Sequence, residues 1–445
     1  MTTNEKLAVL RAAMQKAGAA ACLIPSSDPH ISEYLPAHWA ARRYFSGFTG
    51  SVGTLVVTRE KSALWVDGRY FVQAENQLAG SEIELQKMAL PGVPTVAEYL
   101  KNALGEGDVL ALDGGITSTA LVKELQKALA EKGASVRDLD LAGPNWPDRP
   151  AVPATEAWLL PETFAGESAR SKLARLRAAL ETAGATAQVV TRLDSTAWLL
   201  NLRAADLECT PFALAWCFVT RDAATLFIDG SRLPDAARQG LEAQGVTVRS
   251  YDELLDALAA HTAPETVLVD EAGTNYAISG ALAANPAFTV KAGDDPVQLM
   301  KGVKSEAELA NIRRAHEKDG AAMVRFQMAL EAAMAAGQPL TEWDIGGMLA
   351  AERARQEGYL MESFAPIAAY GGNAAMMHYQ ATEESHAALE PRGFLLVDTG
   401  GQYLDGTTDI TRTYPLGPLT EEERTWYTLV LKSHIGMARA VFLEG

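Results

Sequence analysis

Two aspartates in the stretch GFLLVDTGGQYLDGTTDITRTYPLG, residues 393–417, are the residues best placed to do chemistry. Asp398 and Asp409 stand eleven positions apart, in a pattern that reads strand, glycine-rich connection, strand. A hairpin centred between Tyr403 and Leu404 would set the two carboxylates directly opposite each other on one face, with Cβ atoms ~5 Å apart. Leu395, Leu396, Val397 and Ile410 would surround them, and paired carboxylates in apolar surroundings are costly unless neutralised. A pair of divalent cations sharing bridging carboxylates would neutralise them and activate a water between the metals. A pair of turn aspartates is the competing reading, and Asp405-Gly406 in the same stretch is a good turn in its own right.

His378 lies in YGGNAAMMHYQ, twenty residues before Asp398, where Gly371, Gly372 and Asn373 suggest a tight loop leading into a strand. A histidine can shuttle protons near neutral pH, although a single histidine after an apolar pair also suits a packed, hydrogen-bonded role. Arg69 in VDGRYF offers a planar fork for a carbonyl or carboxylate, or serves as a turn arginine beside a solvated loop. His30, His38, His261, His316, His386 and His434 form no ligand pattern. There is no GxSxG, no Walker loop and no GxGxxG between a strand and a helix, so serine hydrolase, P-loop and dinucleotide-binding functions lack support.

The elements that must position these residues begin with an internal repeat. KLAVLRAAMQKAG from Lys6 returns as KLARLRAALETAG from Lys172, so that Gly18 meets Gly184 and Asp28 meets Asp194. ALWVDGRYF, with Asp67-Gly68, is echoed by TLFIDGSRL, with Asp229-Gly230, after a small gap. Leu7, Leu10, Ala13 and Met14 share one helical face, and Gly18 marks its stop. AAACLIP reads as a strand buried on both faces. The repeat therefore predicts two α/β domains of similar build, residues 1–150 and 151–295. Five prolines between residues 143 and 161 stiffen the link between them. Ser305-Glu306-Ala307-Glu308 fits a capping box opening a long helix buried through Leu309, Ile312, Met323, Phe326 and Leu330, and a third domain covers 296–445.

With 445 residues, 48% hydrophobic and 21% charged, the chain has an ordinary globular balance. Its net charge of −17 repels nucleic-acid phosphates and anionic membranes, so neither is an expected partner. The longest apolar run, Phe212 to Val219, cannot span a bilayer. Cys22, Cys209 and Cys217 are scattered, which argues against a disulfide framework and for a reducing compartment.

IPSSDPHISEY, RRYFSGFTGSVGT, WVDGRYFVQA, NWPDRP, AWLLNLR, KSEAELANIRRAH, NAAMMHY and above all VDTGGQYLDGTTDITRT resemble the M24 metallopeptidases, the pita-bread family, in its long three-domain Xaa-Pro aminopeptidase form. The resemblance implies two tandem creatinase-type α/β domains before an α+β pita-bread catalytic domain. It implies that Asp398 binds one metal and Asp409 bridges two, usually manganese and sometimes cobalt or zinc. It places His378 near the substrate for proton transfer and Arg69 against the peptide. The implied reaction is attack by a metal-bridging hydroxide on the Xaa-Pro amide of peptides with proline in second position, in a cytoplasmic homodimer.

Departures accompany the match. The family's remaining ligands, a histidine in an HGTGHG-like segment and two glutamates, are not in this sequence, and the expectation is a longer protein of which these 445 residues alone are inactive. Ala204 stands where the family usually has glycine. The family also contains non-catalytic pita-bread binding proteins and creatinase-like hydrolases, which are the alternatives.

Overall fold

A computed structural model describes residues 1–443. It divides into two compact units, Met1–Asn311 and Ile312–Gly445.

The first unit contains two six-stranded sheets. One is built from β1 (Ala21–Ile24), β2 (Thr54–Thr58), β3 (Ser62–Val66), β4 (Ile83–Lys87), β5 (Val109–Leu112) and β6 (Ser135–Asp138), in the order β4-β3-β2-β1-β5-β6. A short ribbon pairs β7 (Trp158–Leu159) with β9 (Leu202–Arg203). The second sheet uses β8 (Ala187–Val190), β10 (Trp216–Val219), β11 (Ala224–Phe227), β12 (Thr247–Arg249), β13 (Glu265–Val269) and β14 (Phe288–Ala292), in the order β12-β11-β10-β8-β13-β14. The two orders are the same, and in each one strand, β2 or β10, runs antiparallel to both its neighbours. Helices cover both faces of each sheet, which is why β1 and β8 are buried throughout.

The repeat extends to individual side chains. Gly18 and Gly184 end the two repeat helices with φ of +69° and +63°, the left-handed conformation that glycine takes without strain. Arg11 and Arg177 each donate from Nε to a strand-end carbonyl, Thr58 and Thr220, at 2.9 Å. The Lys6 ammonium donates to Tyr44 O and lies over the Tyr44 ring, while Lys172 does the same with Trp198. Asp28 and Asp194 have diverged, one buried in a loop and the other opening a helix. Ala204 is buried without a left-handed backbone, so the position does not require glycine here.

The copies meet through matching loops. Thr119 N donates to Thr274 O and Tyr276 N to Thr117 O, each at 2.9 Å, while Ala120 N donates to Glu271 O and Ala277 N to Gly114 O. These bonds exchange in pairs when one copy is mapped on the other, so the junction has a local twofold axis. His30 seals it, stacked on Trp216 at 3.7 Å with Nδ1 at Thr191 O and Nε2 at the Tyr251 hydroxyl.

The second unit holds β15 (Tyr359–Glu362), β16 (Ile367–Tyr370), β17 (Phe394–Thr399), β18 (Gly401–Tyr403) and β19 (Ile410–Pro415). β16, β17 and β19 form an antiparallel sheet with β17 central, and β15 pairs with β18. One face of the sheet, through Ala368, Leu395, Val397 and Tyr414, packs on Met323, Phe326 and Leu330 of the helix Glu306–Ala335 and on Ile345 and Leu349 of the helix Glu342–Arg353. The Ser305–Glu308 capping box forms as expected. Leu309 and Ile312 are only partly buried, and the helix's inward stripe instead includes Asp319. The last helix, Glu421–Ala438, stacks Tyr427 on Phe394 but leaves Trp426 61% and Val430 67% exposed.

Candidate metal centre

Strand alternation decides which side chains share the face left uncovered by the helices. Asp398 pairs with Thr411 and Thr399 with Ile410. The turn runs Tyr403 to Gly406, with Tyr403 N donating to Gly406 O, and Gln402 bridges Thr407. The hairpin is therefore centred between Leu404 and Asp405, and the expected register is off by two residues. A slip of two preserves the face, whereas a slip of one would have inverted it. Asp409 thus sits diagonally from Asp398 on the same side of the ladder, near enough for each carboxyl group to feel the other's charge. Leu395 and Val397 belong to the opposite, helix-covered face, so the surroundings of the pair are less apolar than expected.

Asp398 is half-buried and accepts a 2.8 Å bond from the Thr411 hydroxyl; Asp409 is exposed. Burial raises the Asp409 pKa, and the neighbouring Asp398 carboxyl raises it further. A cation between the two would reverse that repulsion. The donors present are hard carboxylate oxygens, which suit manganese or magnesium. No group of three or more histidine, cysteine or acidic side chains gathers as a metal cage among the described residues.

Asp405 is more than a turn residue. Its buried carboxylate accepts from Lys318 Nζ at 2.7 Å and pairs with Arg314. Gly400 is required, because a Cβ there would collide with Thr408 O and Ser363 Oγ.

His378 does not lead into a strand. It lies in a turn after the short 3₁₀ segment Gly371–Ala375, part-exposed and hydrogen-bonded or otherwise engaged. The loop around it is held by Glu342, a buried carboxylate with four donor groups in reach. Oε1 accepts from Tyr370 N (2.6 Å), Oε2 from the Tyr379 hydroxyl (2.7 Å) and Ala387 N (2.7 Å), and Asn373 Nδ2 reaches both oxygens. Glu342 was not visible as special in the sequence, since it follows a helix cap where acids are common.

Arg69 belongs to the first unit. It donates from Nε to Asp67 Oδ1 at 2.9 Å and from Nη2 to Oδ2 at 2.7 Å, leaving the side chain 37% exposed. This pairing is what raises the arginine's pKa.

Comparison with known proteins places these elements. Residues 6–142 and 148–308 each match a Creatinase/Prolidase N-terminal domain, and residues 310–445 match metallopeptidase family M24. Aminopeptidase P2 of Arabidopsis thaliana is 35% identical over 482 residues, covering 100% of this chain and 67% of its own length. A probable Xaa-Pro aminopeptidase P of Fusarium vanettenii is 38% identical, covering 100% of this chain and 74% of its own length. The crystal structure of the X-prolyl aminopeptidase of Caenorhabditis elegans, described as a cytosolic enzyme with a di-nuclear active site, superposes with a TM-score of 0.93 at 32% identity, covering 100% of this chain and 75% of that one.

Proposed function

This chain belongs to metallopeptidase family M24, among the Xaa-Pro aminopeptidases P, and from that premise we propose that it acts on peptides with proline in second position and releases the residue before it. The carrying observation is the placement of Asp398 and Asp409, diagonal neighbours across β17 and β19, on one open sheet face.

Asp398 and Asp409 would supply carboxylate oxygens to two divalent ions, with manganese first among candidates and cobalt or zinc next. Bound there, the ions would polarise the peptide carbonyl and acidify a water. Breaking the Xaa-Pro C–N bond releases the proline nitrogen as an amine, so a proton must be delivered to it. His378, on its Glu342-anchored loop, is the residue assigned to that transfer. Arg69 binds substrate through the outer edge of its guanidinium, Nη1 and the remaining Nη2 hydrogen, while Asp67 holds Nε and Nη2. A cytoplasmic homodimer is part of the same proposal, and no described helix is long and apolar enough to cross a membrane.

The test is hydrolysis of an Xaa-Pro peptide by the protein as made in its own cells. Chelation or Asp409→Asn should remove at least 99% of the rate, and re-added manganese should restore only the unmodified protein. Undiminished hydrolysis after either treatment would sink the assignment.

A further inference from the structure

Behind the aspartate pair, on the helix-covered side of the hairpin, lies a buried polar network centred on Arg353. Arg353 ends the helix Glu342–Arg353 and is 0% exposed. It donates from Nε to Asp319 Oδ1 at 2.7 Å and from Nη2 to Oδ2 at 3.3 Å, a two-pronged pairing. Nη1 donates to Glu362 Oε2 at 2.6 Å and to the Thr399 hydroxyl at 2.5 Å. Asp319 in turn accepts from the Tyr403 hydroxyl at 3.0 Å and from the Thr408 hydroxyl at 2.6 Å. Thr408 Oγ1 also accepts from Gly401 N.

Thr399 directly follows Asp398, and Thr408 directly precedes Asp409. One ion pair therefore grips both strands of the hairpin, each at the residue adjoining an aspartate and from the opposite face. Apolar packing would stabilise such a core as well as a buried ion pair does, and often better. What directional bonds add is a fixed axial offset between two strands, and that offset sets the separation of the two carboxylates.

We propose that Arg353 and Asp319, acting through Thr399 and Thr408, are positioning residues that set the spacing of Asp398 and Asp409 for two cations. This rests on the reading of the pair as metal ligands. Outer partners of metal ligands typically change affinity by about 10–100-fold when removed.

The test uses Thr408→Val, Thr408→Ser and Asp409→Asn in the protein as made in its own cells, stripped and titrated with Mn²⁺. Affinity is followed calorimetrically and the spin-coupled signal of paired manganese by electron paramagnetic resonance, with thermal melting as the folding control. Thr408→Val should fold, bind Mn²⁺ about tenfold more weakly and lose the coupled signal. Thr408→Ser, which keeps the hydroxyl, should restore both. If Thr408→Val binds and couples manganese as the unmodified protein does while Asp409→Asn does not, the network is only structural and the proposal falls alone. If Asp409→Asn also leaves binding unchanged, the metal reading falls and takes the proposal with it.

Discussion

The two copies of the α/β repeat make the same turn and use it for opposite purposes. After β3, Asp67 Oδ1 accepts from Arg69 N at 3.0 Å; after β11, Asp229 Oδ1 accepts from Ser231 N at the same distance. Tyr70 N and Arg232 N then close equivalent bonds to Asp67 O and Asp229 O. In the first copy the third turn residue is an arginine facing outward and the fourth, Tyr70, is buried against Ser51. In the second copy the third is a serine and the arginine comes one place later. Arg232 therefore points inward, to a buried ion pair with Asp206 whose side chains are 5% and 0% exposed, and to Thr155 O. A backbone motif is thus indifferent to use: one residue of displacement turns an inward scaffold pin into an outward-facing, part-exposed side chain.

Arg232→Ala should break this comparison most severely. It strands the buried Asp206 carboxylate, and removing one partner of a buried pair costs about 3–5 kcal/mol, readable as a lowered urea midpoint.

A smaller effect sharpens the contrast at the junction. Burial pushes Asp28 up to about 6 from 3.8 and His30 down to about 3 from 6.5. The raised aspartate favours folding at low pH, a contribution lost as pH rises through about 6. The depressed histidine favours folding above 6.5, a contribution lost as pH falls toward about 3. Between about pH 4 and 6 the two slopes oppose each other, so Asp28→Asn should uncover the histidine and make stability fall by about 1.4 kcal/mol per pH unit of acidification. A flat profile in the variant would refute the pairing.

Lys172 is buried and also donates to Asn201 Oδ1, while Lys6 is part-exposed. Lys172→Met should accordingly cost about 1 kcal/mol more than Lys6→Met. Equal losses in thermal melts would mean that burial does not distinguish the copies. Arg69→Ala should change stability by less than about 0.5 kcal/mol, as exposed sites do, while raising KM for an Xaa-Pro peptide. A large stability loss would place Arg69 in the same scaffolding role as Arg232.

Legibility followed the range of the signal. The repeat was readable because helix stops such as Gly18 and Gly184, and runs such as AAACLIP, are local. The aspartate pair was readable as a pair, but its register was not, because the turn centre depends on where Asp405 finds Lys318 and Arg314, residues some ninety positions away. Asp319 offered a usable clue: a charged residue on the buried stripe that also carries Met323, Phe326 and Leu330 needs a buried partner. Arg353, a basic residue in the last turn of a helix, offered none, since that is an ordinary place for one.

The twofold junction between the copies has a kinetic side. Identical folds that meet through exchanged backbone bonds would, as separate chains, associate at a rate set by their concentration. Joined in one chain by a proline-stiffened linker, they meet at an effective concentration fixed by the linker's length and stiffness and not by the protein's own concentration. Dilution that would dissolve a free pair leaves this one assembled.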